Sequence, residues 1–270
     1  MSKAAVVALI LLGTACWSAH AETSEMRAGG TGSATALLRR LATEFERQRP
    51  DRVEIIANLG TGGAIRALAD GALDLAVAGR PLKAEEQAQG LNVAIALQTP
   101  FIFATSHKSP TSLSAAELVK AFQGPDLTWS DRTPIRVILR PRSESDVLLM
   151  GSMFPGLAPA IEAARQRPGL PIAATDQDNA DLAEQIEGSL ASFSLTQLVL
   201  EKRDLRLVPI DGLIPTRESF GTGAYPYAKT LYFVARANSG DLVASFLAFV
   251  TSEKGQDILR EAYVFPQRTR

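Results

Sequence analysis

The chain has 270 residues, 46% hydrophobic and 21% charged, with 28 basic against 29 acidic side chains. This is ordinary globular composition with ample apolar material for a core, and it offers no basic excess of the kind a nucleic-acid footprint needs. A single cysteine, Cys16, and two histidines, His20 and His107, argue against thiolate zinc sites, multi-histidine metal sites and most hydrolase machinery.

The N-terminus reads as an export signal. Lys3 supplies a basic start, Ala4 to Leu12 is an apolar run too short to span a bilayer, and Ala19-His20-Ala21 fits the A-x-A cleavage pattern. Residues 1–21 are therefore expected to be removed, leaving a periplasmic chain that begins at Glu22 and holds neither Cys16 nor His20. Lipoprotein anchoring through Cys16 is the competing outcome, and Gly13 stands where that signal needs a leucine-like residue.

From there strands and helices alternate. Met26-Arg27-Ala28 leads into Gly29-Gly30-Thr31-Gly32-Ser33, followed by a helix with Leu37, Leu41 and Phe45 on one face. Arg52 to Asn58 reads as a strand. Gly60-Thr61-Gly62-Gly63 follows as a loop, then a helix with Ala64, Ile65 and Leu68 inward and Gly71 as its stop. Leu73 to Ala78 is a buried strand, and this order predicts a parallel sheet with right-handed crossovers. Val93 to Leu97 and Phe101 to Thr105 read as strands on either side of Pro100. Ser114 to Glu117 is a capping box. Ile135 to Leu139 reads as a strand, and helices are expected from Ser143, over Leu157 to Arg167, and after Thr175-Asp176. Strands at Leu190 to Phe193, Leu205 to Ile210 and Leu231 to Val234 precede two closing helices. The two α/β clusters are joined by strand-like chain with no Gly/Ser linker. That predicts two lobes about a hinge, residues 22–104 with 224–270 forming the first and 105–223 the second.

Three strand-to-helix loops carry the chemistry: Gly29 to Ser33, Gly60 to Gly63, and Arg140-Pro141-Arg142-Ser143-Glu144-Ser145. Such loops gather at the carboxyl edge of a parallel sheet, where backbone amides at helix starts favour anions. None is a Walker loop or a dinucleotide fingerprint. Neutral donors with an arginine, and no nucleophile or base poised near neutral pH, suit capture of an oxyanion over catalysis. A hydrolase using Ser143 or Ser145 would have to take His107 as its base, without a nucleophile elbow. The plain reading of His107 is a polar residue near a strand end.

These loops resemble those of the phosphate-binding proteins of ABC importers, within the type II periplasmic binding-protein family. Further carriers of the resemblance are Asp74 to Leu82, Tyr225-Pro226, Leu231 to Val234 and the helix pair around Ser252 to Leu259. It runs over nearly all of the chain beyond the signal. It implies an α/β fold of two lobes, each a mixed, mostly parallel sheet flanked by helices, joined by a two-strand hinge and closing on a desolvated anion. It also implies phosphate as ligand, an inner-membrane ABC permease as partner, a monomer, and no cofactor, metal or catalysis. Residue by residue, Ser33 and the Ala34 amide match the family's first-loop ligands, with Thr31 and Gly32 beside them. Thr61 stands where a serine is usual and Gly62 follows with its amide, while Arg140 matches the arginine that neutralises the anion. Two positions depart from the pattern. Gly79, with Arg80 beside it, stands where the family has an acidic or serine ligand, and Glu144-Ser145-Asp146 replaces Ser-Gly-Thr. Ser143 and Asp146 read as a capping box; alternatively Glu144 or Asp146 accepts a hydrogen bond from the proton that phosphate carries and sulfate lacks. A binding or sensor protein of the same fold for a different small solute is the second reading.

Overall fold

The computed structural model describes residues 24–267, so Lys3, Cys16 and the cleavage site at Ala21 lie outside the described residues. The first βαβ units are β1 (Glu25–Gly30), α1 (Thr35–Glu46), β2 (Arg52–Ile56), α2 (Gly60–Ala69) and β3 (Leu75–Ala78), with a 3-10 turn at Gly32–Ala34 between β1 and α1. β1 runs parallel between β2 and β3. The helical spacing of Leu37, Leu38, Leu41, Ala42 and Phe45 buries one face of α1. Gly30 is required where β1 meets β3, because a Cβ there would sit 2.2 Å from the Val77 carbonyl oxygen. The glycines expected to form the second loop are instead the first turn of α2, which Gly60 enters with φ +63°.

A short α3 (Ala84–Gln87) precedes β4 (Leu91–Thr105), a single strand of 15 residues that passes through Pro100. Pro100 is tolerated because β4 changes partner there: its first part pairs antiparallel with β8 (Ala228–Arg236) as far as Pro100 opposite Ala228, and from Phe101 it pairs with β6 (Ser189–Ser194). A residue that cannot donate a ladder hydrogen bond sits where one ladder ends and the next begins. The second half of the molecule adds α4 (Ala115–Gln123), β5 (Arg136–Val137), α5 (Ser145–Met153), α6 (Leu157–Ala164), α7 (Asp176–Gln185), α8 (Leu195–Glu201), β7 (Arg206–Val208) and α9 (Arg217–Thr222). After β8 the chain ends in α10 (Asp241–Thr251), α11 (Glu253–Glu261) and β9 (Phe265–Pro266). The strand order is β2-β1-β3-β8-β4-β6-β5, a mixed α/β sheet with β7 and β9 also paired to β4.

Separate cores sit on either side of this handover. Met26, Leu37, Phe45, Leu97, Phe233 and Phe246 share one; Phe101, Phe103, Phe122, Trp129 and Phe154 share another. Phe101 to Ala104 pack with residues of the second half of the chain, because the strand continues past Pro100 straight into its new ladder.

Candidate site between the two halves

β1 delivers the chain to Thr31, and the 3-10 turn presents the backbone of Gly32, Ser33 and Ala34 at the start of α1. Thr31, Ser33 and Ala34 are buried. Two residues of the other half meet this turn. Asp176, the first residue of α7, accepts the Ser33 amide on Oδ2 at 2.9 Å and the Thr31 hydroxyl at 3.5 Å. Arg140, which follows β5, brings Nη2 to 3.4 Å from the other Asp176 oxygen and 3.3 Å from Glu144 Oε2, while its Nη1 donates to the Thr175 carbonyl. Gln177 Nε2 adds a hydrogen bond to the Gly32 carbonyl at 3.2 Å. An amide, a hydroxyl and a guanidinium thus converge on the two oxygens of one carboxylate, a charge-assisted donor set for an oxyanion. Gly32 lets the carboxylate come this close, since a Cβ there would lie 2.7 Å from Asp176 Oδ2. Beside it a cavity of about 90 Å³ is lined by Asn58, Leu59, Gly60, Arg140, Glu144 and Gln177, among others.

A second buried cluster adjoins the first. Lys229 on β8 is fully buried and its Nζ lies 2.5 Å from Asp146 Oδ1 on α5. Ser145 Oγ is buried with no hydrogen-bond partner, and a Cβ on Gly79 would come within 2.5 Å of it and 3.2 Å of Lys229 Cε. The Gly79 amide donates to Thr61 Oγ1 at 2.9 Å, which ties α2 to the end of β3. The capping box expected of Ser143 and Asp146 does not form. The N-cap of α5 is Glu144, it makes no side-chain capping bond, and Asp146 faces Lys229 instead. Burial pushes the Glu144 carboxyl above the usual glutamate range; Arg140 opposes this, and the carboxylates of Asp176 and Asp146 reinforce it. Two cations, Arg140 and Lys229, therefore serve three acids, Glu144, Asp146 and Asp176.

A family model described as "PBP superfamily domain" matches residues 18–254. The chain belongs to the PBP superfamily. No curated protein matches it. Among solved structures, the PBP-superfamily chain is similar to a putative phosphate ABC transporter substrate-binding protein with bound phosphate from Clostridium perfringens, at 19% identity and TM-score 0.77, covering 91% of this chain and 100% of that one. It is also similar to an ABC-type phosphate transport receptor from Vibrio cholerae, at 16% identity and TM-score 0.62, over 90% and 100% of the two chains. The effector-binding domain of QuiR in complex with shikimate shares the fold at 10% identity and TM-score 0.57, over 87% and 98%. At these identities the likenesses establish the fold, that of the type II periplasmic binding proteins.

Within this PBP-superfamily fold the residues expected at the site divide into three groups. Thr31, Gly32, Ser33, Ala34, Arg140 and Glu144 meet at the Asp176 carboxylate or around it. Thr61, Ser145 and Asp146 gather at Lys229 and Gly79. Arg80 and Gly62 lie apart: both terminal nitrogens of the Arg80 guanidinium bond the two Glu86 oxygens, at 2.7 and 2.8 Å, and Gly62 is exposed in the first turn of α2. Arg80 goes to Glu86 because α3 opens one short turn beyond it and presents that carboxylate in its first turn. His107 stacks on Trp129 and bonds Asp131, holding that carboxyl down at about 2.

Sequence reasoning missed Asp176, Gln177 and Lys229. The signal for Lys229 was the alternation along β8, where Lys229, Leu231 and Phe233 fall on the buried positions. Asp176 was legible only as part of a helix start. The capping box there is made by Thr175 and Asp178, which leaves the Asp176 side chain free to cross to the other half.

Proposed function

We propose that this chain is an exported solute-binding protein that captures phosphate, or a related oxyanion, between its two lobes and delivers it to an ABC importer. The observation that carries this reading is the set of donors on the Asp176 carboxylate, the Ser33 amide, Thr31 hydroxyl and Arg140 guanidinium, which is the hydrogen-bonding environment an external oxyanion needs. The donors come from both halves of the molecule, so a ligand held there bridges the two lobes in the closed form. Of the two acids in the Glu144-Ser145-Asp146 segment, Asp146 is committed to Lys229, while Glu144 lines the cavity beside Arg140. Glu144 is thus the acid placed to accept a hydrogen bond from the proton that phosphate carries, and against sulfate the same carboxylate only repels.

The acids around the seat also favour a second reading, a binding or sensor protein for a small organic acid, since the seat already accommodates a carboxylate. Calorimetric titration of phosphate, and separately of sulfate, into refolded and phosphate-stripped protein tests the first reading. Saturable one-to-one binding of phosphate with sulfate rejected supports it. The absence of phosphate binding rejects it and leaves the organic-acid reading.

A further inference from the structure

We propose that Asp176 is an internal occupant of the oxyanion seat, a carboxylate that an external ligand must displace, and that it draws the two halves together without any ligand. This deepens the proposed function and rests on it for the nature of the external ligand. Three observations carry it. Asp176 reaches across the molecule: its residue belongs to α7 in the second half, while the Ser33 amide and Thr31 hydroxyl it engages belong to the first. Its contacts are of the ligand kind, with the guanidinium of Arg140 on one oxygen and the amide and hydroxyl on the other. The turn is also shaped around it, since Gly32 leaves room that a methyl would take from both Asp176 and Gln177, whose Oε1 would lie 2.8 Å away.

The consequence is a competition in which Asp176 decides which anions can bind. A seat filled by its own carboxylate is available to solutes only for the fraction of time that carboxylate is out, and apparent affinity falls by that fraction; a seat free one time in ten weakens binding by about tenfold. The anion that wins must offer more than a carboxylate does, in charge or in the number of acceptor oxygens, which favours tetrahedral oxyanions over simple carboxylates. Closure, for its part, becomes the resting condition rather than a response to ligand.

The test is small-angle scattering of phosphate-stripped wild type and Asp176→Ala, each without and with inorganic phosphate, together with phosphate titration of both. The wild type is expected to be compact with or without phosphate. Asp176→Ala is expected to show a larger radius of gyration when stripped, to contract on adding phosphate, and to bind phosphate more tightly than wild type, by the inverse of the fraction of time the wild-type seat is free. Gly32→Ala, which crowds the contact from the other lobe and keeps every charge, is expected to be expanded when stripped, and it stands in if Asp176→Ala does not fold. Stripped variants as compact as wild type, with unchanged phosphate affinity, overturn the inference. An expanded Asp176→Ala that binds no phosphate upholds the internal contact and rejects phosphate as the ligand, so the two ideas fail separately; Gly32→Ala is read for compactness alone, because its methyl also narrows the seat for phosphate.

Discussion

Lys229 is the most decisive position for the energetics of the site. It is fully buried, Asp146 is 3% exposed, and the 2.5 Å contact between them is the one charge-neutralising contact described for either side chain. Lys229→Met keeps most of the volume and removes the charge, leaving Asp146 as an uncompensated buried carboxylate. Breaking a buried pair from one side in this way costs about 3–5 kcal/mol. In a chain of this size each kcal/mol moves the melting midpoint by about 2–4 °C, so a fall of roughly 6–20 °C is expected. Replacing both partners, Lys229→Met with Asp146→Leu, is expected to recover most of the loss, because removing both charges avoids the desolvation that the surviving charge suffers. Urea unfolding followed by circular dichroism, with midpoints compared at unchanged slope, reads all three proteins. A single-variant cost under about 1 kcal/mol, the range of an exposed pair, would mean that the two charges are not desolvated as their burial implies. So would a double variant as damaged as the single one.

Two further predictions concern the seat. Burial raises the Glu144 carboxyl, so at pH values just above the ordinary glutamate value of about 4.3 the folded chain keeps a proton that the unfolded chain has lost. That contribution is present at low pH and is lost as pH rises through the raised value; from pH 4 to 7 the urea midpoint of the wild type should fall relative to that of Glu144→Gln, the lowered carboxyls of Glu86, Glu117 and Glu162 being common to both. Arg140→Ala leaves Asp176 and Glu144 without their cation and should weaken phosphate binding by about 2–5 kcal/mol, whereas Arg142→Ala, whose exposed side chain pairs with Glu162, should leave it unchanged. The reverse pattern in calorimetry would mean that Arg142, not Arg140, faces the anion.

Much of the architecture was legible because periodicity and turn chemistry agreed. The inward faces of α1 and α2, the Ser114 capping box and the buried strand at β3 all follow from spacing alone. What was misread has physical causes. Pro100 looked like a break between two strands, yet it sits where β4 exchanges one partner for another and no donor is missed. Gly60 to Gly63 looked like a loop ahead of a helix, yet the helix starts at the left-handed Gly60 itself, and Gly62 is exposed in its first turn. Ser143 and Asp146 fitted a capping pattern, but a buried lysine 83 residues further on draws Asp146 away, and no local pattern contains that partner. The first loop and Arg140 could be read as anion donors from their residue types. That a carboxylate from α7 fills the space between them depends on how the two halves meet, which short-range spacing does not encode.

If the turn after β1 and Arg140 together form the oxyanion seat, a crystal structure of the stripped protein grown with phosphate will show phosphate oxygens within hydrogen-bond distance of the Ser33 amide, the Thr31 hydroxyl and the Arg140 guanidinium, with the Asp176 carboxylate displaced. Phosphate bound elsewhere, or Asp176 still on the Ser33 amide at saturating phosphate, would contradict it.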